Sequence, residues 1–299
     1  MSSQPTVQAP FDGIPPAHRL PMTLPLLIEK KRLGEPIVMV TAYDYPSARA
    51  AEAAGVDLVL VGDSAATTVL GYDATTPVEL ADMLMLTRAV RRGLHTPLLI
   101  GDLPFGSYEI SDEQAIATAL RMVKEAGCEA VKLEGGGPAS VSRARAIIGA
   151  GIPVMGHVGL TPQTSTALGG WKAQGRTAAA AARIASEALA LQDAGCFAIV
   201  FEAIPSAVAE ELMAHMEIPV IGIGAGPATD GQVLVFHDLL GIRDGLGARF
   251  VKRYANLQHE MNAGVTAYAQ DVRARRYPGP EHSYSIDPAE LAELQALLG

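Results

Sequence analysis

Aliphatic runs, each long enough for one strand, alternate with helical segments seven times along this chain, and that alternation restricts the fold more than any other feature. IVMVTAY precedes PSARAAEAAG, DLVLVGD precedes VELADMLMLTRAVRRG, PLLIGDL precedes SDEQAIATALRMVKEAG, and AVKLEGG precedes PASVSRARAIIGAG. PVMGHVG, a long helix ending ALQDAG, AIVFEAI, AVAEELMAHM and PVIGIGA complete the series. Strands without polar alternation are covered on both faces, and crossover helices make them parallel. Seven or eight such units predict the α/β class and, within it, a (β/α)8 TIM barrel. An open doubly wound sheet would show a glycine-rich turn after its first strand, where this chain reads TAYDYPSA. VLVFHDLLG is the candidate eighth strand, and His237 inside it reads as core.

Local signals agree with this division. Gly55, Gly93, Gly127, Gly151 and Gly195 stand between a helix and the next strand, where a left-handed residue ends a helix. Ser111 and Gln114 have capping-box spacing, and Ile116, Ala119, Leu120 and Val123 predict the buried face of the helix that follows. A chain of 299 residues can be one barrel. We expect a Pro-rich leader over residues 1–20, a single barrel domain over 21–286, and a short helix over 287–299 started by Asp287 and Pro288.

Four of the strand runs finish on an acid or carry one just beyond: DLVLVGDS at Asp63, PLLIGD at Asp102, AVKLE at Glu134 and AIVFE at Glu202. An acid is costly in a strand buried on both faces. At the C-terminal end of a barrel strand it instead faces a shared mouth, where barrel active sites form. Lys132 and Glu134, two apart, point to one side of their strand. They read as pocket residues or as a buried ion pair that fixes packing. Asp63, Asp102 and Glu134 follow three successive strands; their oxygen-only set suits Mg²⁺, and the alternative is that each caps a local turn. Glu202, after an apolar run, suits a general base, and His157 in GHVGLTPQ could reach a substrate oxygen. IGIGAGPATDG matches no phosphate-binding loop and reads as close backbone packing.

Composition excludes other classes. A net charge of −9 leaves no footprint for nucleic acid, and no apolar run can span a bilayer. Two cysteines cannot make a secreted disulfide scaffold, so a cytoplasmic location is expected. GxSxG, CxxC and HExxH patterns are all absent, which removes hydrolase and zinc readings.

Taken together, TAYDYPSA, LVGDS with GYDATTPV, DLPFGSY, VKLEGG, GHVGLTPQ, GGWKAQGR, IPVIGIGAG with TDGQVLVFHDLLG, and RYPGPEHSYS resemble the ketopantoate hydroxymethyltransferase family. The resemblance implies a barrel of the phosphoenolpyruvate/pyruvate superfamily. It also implies transfer of a hydroxymethyl group from 5,10-methylenetetrahydrofolate to 3-methyl-2-oxobutanoate, giving 2-dehydropantoate for pantothenate and coenzyme A. By the same resemblance Asp63, Asp102 and Glu134 hold Mg²⁺, and Glu202 is the catalytic proton acceptor. Asp63, Ser64, Asp102, Lys132 and His157 line the 2-oxo acid. The partners implied are small molecules, the 2-oxo acid and the folate, with no nucleic acid and no membrane. A homo-oligomer, commonly a decamer, is implied as well. The chain departs from the pattern in LMLTRAVRRG, at Met85 and Leu86, and in AIPSAVAEEL after Glu202. An Mg²⁺-dependent carbon-carbon lyase or phosphonomutase is the alternative reading. Such barrels carry a cysteine-bearing loop in the mouth, whereas Cys128 and Cys196 lie near strand starts. No aromatic-plus-basic constellation for the folate stands out in the sequence.

Overall fold

The computed structural model describes residues 19–243 and 247–299, so most of the leader read over 1–20 lies outside the described residues. Eight strands, β1 (Ile37–Thr41), β2 (Leu58–Val61), β3 (Leu98–Asp102), β4 (Ala130–Lys132), β5 (Val154–Gly159), β6 (Ala198–Glu202), β7 (Val220–Ile223) and β8 (Gly231–Leu234), pair in parallel in chain order. β8 returns to β1, with Ile37 opposite Gly231, and the barrel closes. The eighth strand therefore starts two residues before VLV, and Phe236–Leu240 of the same stretch is helix α9. Among the described residues the α-helices are α1 (Leu24–Leu33), α2 (Tyr45–Ala54), α3 (Ala65–Thr68), α4 (Leu80–Arg91), α5 (Asp112–Ala126), α6 (Pro138–Gly149), α7 (Ala178–Asp193), α8 (Ser206–Met213), α9, α10 (Leu257–Arg273) and α11 (Pro288–Leu298). No helix joins β7 to β8. The glycine-rich stretch makes that connection, and a Cβ at Gly231 would collide with the Ile37 carbonyl, so close backbone packing explains it.

Strand alternation divides the core in two. Leu58 and Leu60, Leu98 and Ile100, Ala130, Met155, Ala198 and Val200, and Ile221 and Ile223 form one buried cluster inside the barrel, joined by Leu27 from α1. Their sequence neighbours Val59, Val61, Leu99, Val131, Val154, Ile199, Phe201 and Val220 belong to the layer beneath the helices. Burying each such Leu, Ile, Val or Phe contributes about 1.5–3 kcal/mol. The face of α5 differs from expectation: Ala115, Thr118, Ala119, Met122 and Ala126 are buried and Leu120 is 41% exposed. Small side chains let the helix approach the sheet, and Ile116 and Val123 flank the contact half-buried. Ser111 Oγ accepts from the Gln114 amide at 3.2 Å, while Gln114 Oε1 reaches back to the Ile110 amide, one residue short of a reciprocal box. Gly93 is a glycine for space, since its Cβ would stand 2.7 Å from that of Ala48. At the first site of departure, Leu86 is buried and Met85 exposed on α4, an arrangement of helix packing.

Compactness separates two units, one running to Leu239 and taking up 247–252 again, the other made of 240–243 and Arg253–Gly299. All eight strands lie in the first. α10 falls in the second, and neither α10 nor α11 has a buried residue. The start of α11 is as expected, with Asp287 Oδ1 accepting from the Ala289 amide at 2.8 Å.

Candidate active site

The interior parity of the strands decides which polar residues meet. Asp102 continues the set Leu98, Ile100; Lys132 and Glu134 continue Ala130; His157 continues Met155; Glu202 continues Ala198, Val200. Each therefore projects into the mouth at the C-terminal end of its strand. Asp63 lies beyond β2, off that parity, and is held in by its surroundings: its amide donates to Asp102 Oδ2 at 3.1 Å and its Oδ2 accepts from Gln163 Nε2 at 3.0 Å. Ser64 follows it, with Oγ 2.8 Å from the Tyr43 hydroxyl.

Lys132 is the centre of the cluster. Its Nζ lies 2.8 Å from Asp102 Oδ1, 3.9 Å from Glu134 Oε1 and 3.5 Å from His157 Nδ1. His157 bridges to the far side: Nδ1 is 3.5 Å from Glu134 Oε1 and Nε2 is 3.3 Å from Glu202 Oε2. Asp63, Asp102, Lys132, Glu134 and His157 are buried, while the Glu202 side chain keeps 14% of its surface exposed. The acid most open to a ligand is thus the one expected to act as base.

Burial and crowding shift these groups in different directions. Asp63 is raised well above the ordinary carboxylate value by burial, then by the nearby Asp102 and Glu134 charges. Asp102 is raised by burial, which Lys132 only partly offsets. Burial opposes charge on Lys132, but Asp102, Glu134 and Asp63 outweigh it and raise its pKa. Burial likewise opposes charge on Glu134, and His157 and Lys132 overcome it and lower its pKa. Burial and Lys132 push His157 down, yet Glu134 and Glu202 on either side carry it up to about 9.

A metal ion can be tested against this donor set. Four carboxylates face one lysine and one histidine, and the Asp102 and Glu134 charges add to burial in raising Asp63. Asp102 Oδ1 is buried and faces Lys132 Nζ at 2.8 Å. Asp63 and Asp102 are two hard oxygen donors whose repulsion a cation would relieve, which fits Mg²⁺ held by one or two carboxylates plus water or substrate. Glu134 fits a direct ligand less well: Gln163 N donates to its Oε2 at 3.0 Å, and Lys132 and His157 share Oε1. Among the described residues no three His, Cys, Asp or Glu side chains converge as a metal-binding group. Asp63 nonetheless feels the charges of both Asp102 and Glu134, so the three acids read from their order along the strands share one mouth.

Gln163 is a central residue that strand patterns do not reveal. It sits in a single turn over Pro162–Thr164 after β5 and is buried. Besides its bonds to Asp63 and Glu134, Nε2 donates to the Leu103 carbonyl at 3.0 Å and Oε1 accepts from the Tyr108 hydroxyl at 2.6 Å. That hydroxyl in turn accepts from the Glu134 amide at 3.3 Å. One amide thereby ties together the loops after β2, β3, β4 and β5. The only sign of it in the sequence is its place at the end of GHVGLTPQ. His237 also differs from its reading as core. It lies half-buried on α9 beyond β8, its ring 5.4 Å from that of Tyr43.

Comparison with known proteins places this chain in a family. A family model described as ketopantoate hydroxymethyltransferase matches residues 21–280. The chain is 50% identical over 286 residues to 3-methyl-2-oxobutanoate hydroxymethyltransferase 1, mitochondrial, of Arabidopsis thaliana, covering 92% of this chain and 82% of that one. It is 50% identical over 268 residues to 3-methyl-2-oxobutanoate hydroxymethyltransferase of Moorella thermoacetica, covering 90% and 99%. Among solved structures, 2,3-dimethylmalate lyase, a member of the PEP mutase/isocitrate lyase superfamily, superposes with a TM-score of 0.55 at 18% identity, covering 93% of this chain and 100% of that one. Phosphonopyruvate hydrolase in complex with oxalate and Mg²⁺ does so at 0.55 and 16%, covering 93% and 96%. These two likenesses concern the barrel alone. The chain belongs to the ketopantoate hydroxymethyltransferase family.

Proposed function

We propose that the chain transfers a hydroxymethyl group from 5,10-methylenetetrahydrofolate to 3-methyl-2-oxobutanoate, with Glu202 as the base and Asp63, Asp102 and Lys132 as the oxo-acid side of the site. The observation that carries the proposal is the family match over residues 21–280, which spans every residue of the charged mouth. Overall, C3 of the oxo acid loses a proton and bonds to the one-carbon unit, a water supplies the hydroxyl, and tetrahydrofolate leaves.

Glu202 Oε2 receives the C3 proton, and His157 Nε2, 3.3 Å away, orients that carboxylate and stabilises its charge before transfer. Lys132 Nζ supports the negative charge that develops on the keto oxygen. Ser64 Oγ, fixed by Tyr43, holds the substrate carboxylate, and Glu134 holds Lys132 and His157 in register. Mg²⁺ bound at Asp63 and Asp102 would supply Lewis-acid polarisation of the substrate oxygens. Holding both reactants in one mouth supplies orientation that free solution lacks.

A cytoplasmic location and a homo-oligomer, a decamer by resemblance, complete the proposal. The cysteines are free and buried, and no helix among the described residues is long and apolar enough to cross a membrane. Sedimentation velocity should give a mass severalfold above the 31.2 kDa chain, and a monomer would remove the decamer. The activity is tested with ¹³C-methylene-labelled tetrahydrofolate and 3-methyl-2-oxobutanoate. Label in the hydroxymethyl carbon of 2-dehydropantoate supports the proposal. Cleavage of a 2-oxo acid without folate would favour the lyase reading instead.

A further inference from the structure

We propose that Trp171, Lys172 and Arg176, on the loop between β5 and α7, form the docking subsite for the folate co-substrate, an inference that rests on the hydroxymethyl-transfer reading. The placement of the loop carries the argument. It leaves β5 just after His157 and passes through Gln163, which is bonded to the acids Asp63 and Glu134. Its far part is tied to the other side of the mouth, where the Gln174 amide donates to the Ala203 carbonyl at 2.9 Å, the residue after Glu202. The segment carrying Trp171 is therefore anchored at one end to the acids of the mouth and at the other to the residue after Glu202. Gly169 and Gly170, both at positive φ, turn the chain immediately before Trp171.

Three side chains on this segment have no structural task. Trp171, the only tryptophan of the sequence, is 58% exposed, a large apolar face turned to solvent. Lys172 and Arg176 are exposed, and neither has an ion-pair partner among the described residues. Their surroundings are selective in charge: no Asp or Glu occurs from Leu160 to Ser186 in a chain of net charge −9. An exposed indole with two free cations matches the chemistry of a reduced folate, which offers flat pteridine and aminobenzoyl rings for stacking and glutamate carboxylates for charge pairing. The one-carbon unit lies between those ring systems, so holding the molecule along this loop directs that carbon to the mouth.

The single tryptophan makes the site its own reporter. Titrating the full-length protein with tetrahydrofolate, corrected with free tryptophan, should quench indole emission saturably. Removing both cations in K172A/R176A should weaken that binding and raise the KM for methylenetetrahydrofolate by about tenfold or more, as expected for lost charge-assisted contacts. The KM for 3-methyl-2-oxobutanoate should hold. W171A should raise the folate KM and W171F, which keeps an aromatic face, should restore it; a purely structural role would not split the two KM values in this way. Emission unmoved at tetrahydrofolate concentrations that saturate turnover, or unchanged folate KM in these variants, would overturn the subsite while leaving the transfer reaction standing. Absence of label transfer by the wild-type protein would overturn both.

Discussion

Single side chains carry the sharpest expectations. Glu202→Gln keeps size and hydrogen-bonding capacity but cannot take a proton, so turnover should fall by about 10²–10⁴. Retained binding of 3-methyl-2-oxobutanoate in an equilibrium titration would confirm that only proton transfer is lost; unchanged turnover removes Glu202 from the role. Gln163→Leu preserves volume, removes the acceptor of the Tyr108 hydroxyl proton and takes the side-chain donor from Asp63 Oδ2. Denaturant unfolding should show a loss of about 2–4 kcal/mol, and half-maximal activity should require more Mg²⁺. Asp102, Lys132, Glu134, His157 and Glu202 could be found in the sequence because strand period two assigns each a direction, while Asp63 showed only as an acid just past a strand end. Gln163 could not, since a loop amide has no period and acquires its importance only from four loops meeting around it.

At the scale of elements, the strands were legible as uninterrupted aliphatic runs, and the acids as interruptions at equivalent ends. Helix faces were less so: on α5 the larger side chains suggested the contact, but the sheet admits Ala115, Ala119 and Ala126 and turns Leu120 outward. β8 was weakest because its strand is short and the residues after it are equally apolar in α9. Glu52 shows how one element fixes another. From α2 its carboxylate accepts from the His95 and Thr96 amides at 2.8 and 3.1 Å and from the Thr96 hydroxyl at 2.9 Å, anchoring the turn into β3. Burial raises its pKa, but these hydrogen bonds prevail and hold it below the ordinary 4.5. A depressed carboxylate stabilises fully above its unfolded pKa, and the contribution is lost as pH falls through the folded value. Glu52→Gln should therefore cost about 1–3 kcal/mol at pH 7, with a gap to wild type that narrows below pH 4.5. A gap independent of pH would contradict that origin.

For the whole molecule, all eight strands and both buried clusters belong to the larger unit, while α10 and α11 bury no residue in the chain described. A chain ending at Lys252 should keep its barrel, with far-UV dichroism reduced by the two missing helices and one cooperative thermal transition. A non-cooperative melt would show that the barrel needs the C-terminal segment. No repeat or linker composition marks this division in the sequence. It follows from where burial ends, and burial is a property of the fold.

The central claim is that this mouth removes the C3 proton of a 2-oxo acid with the help of a metal ion. Proton NMR of 3-methyl-2-oxobutanoate in D₂O with the protein, with and without Mg²⁺, tests it most directly. The account predicts loss of the C3 proton signal that depends on Mg²⁺ and disappears in Glu202→Gln. Exchange that persists in that variant, or hydroxymethyl transfer by a protein whose exchange ignores Mg²⁺, would contradict it.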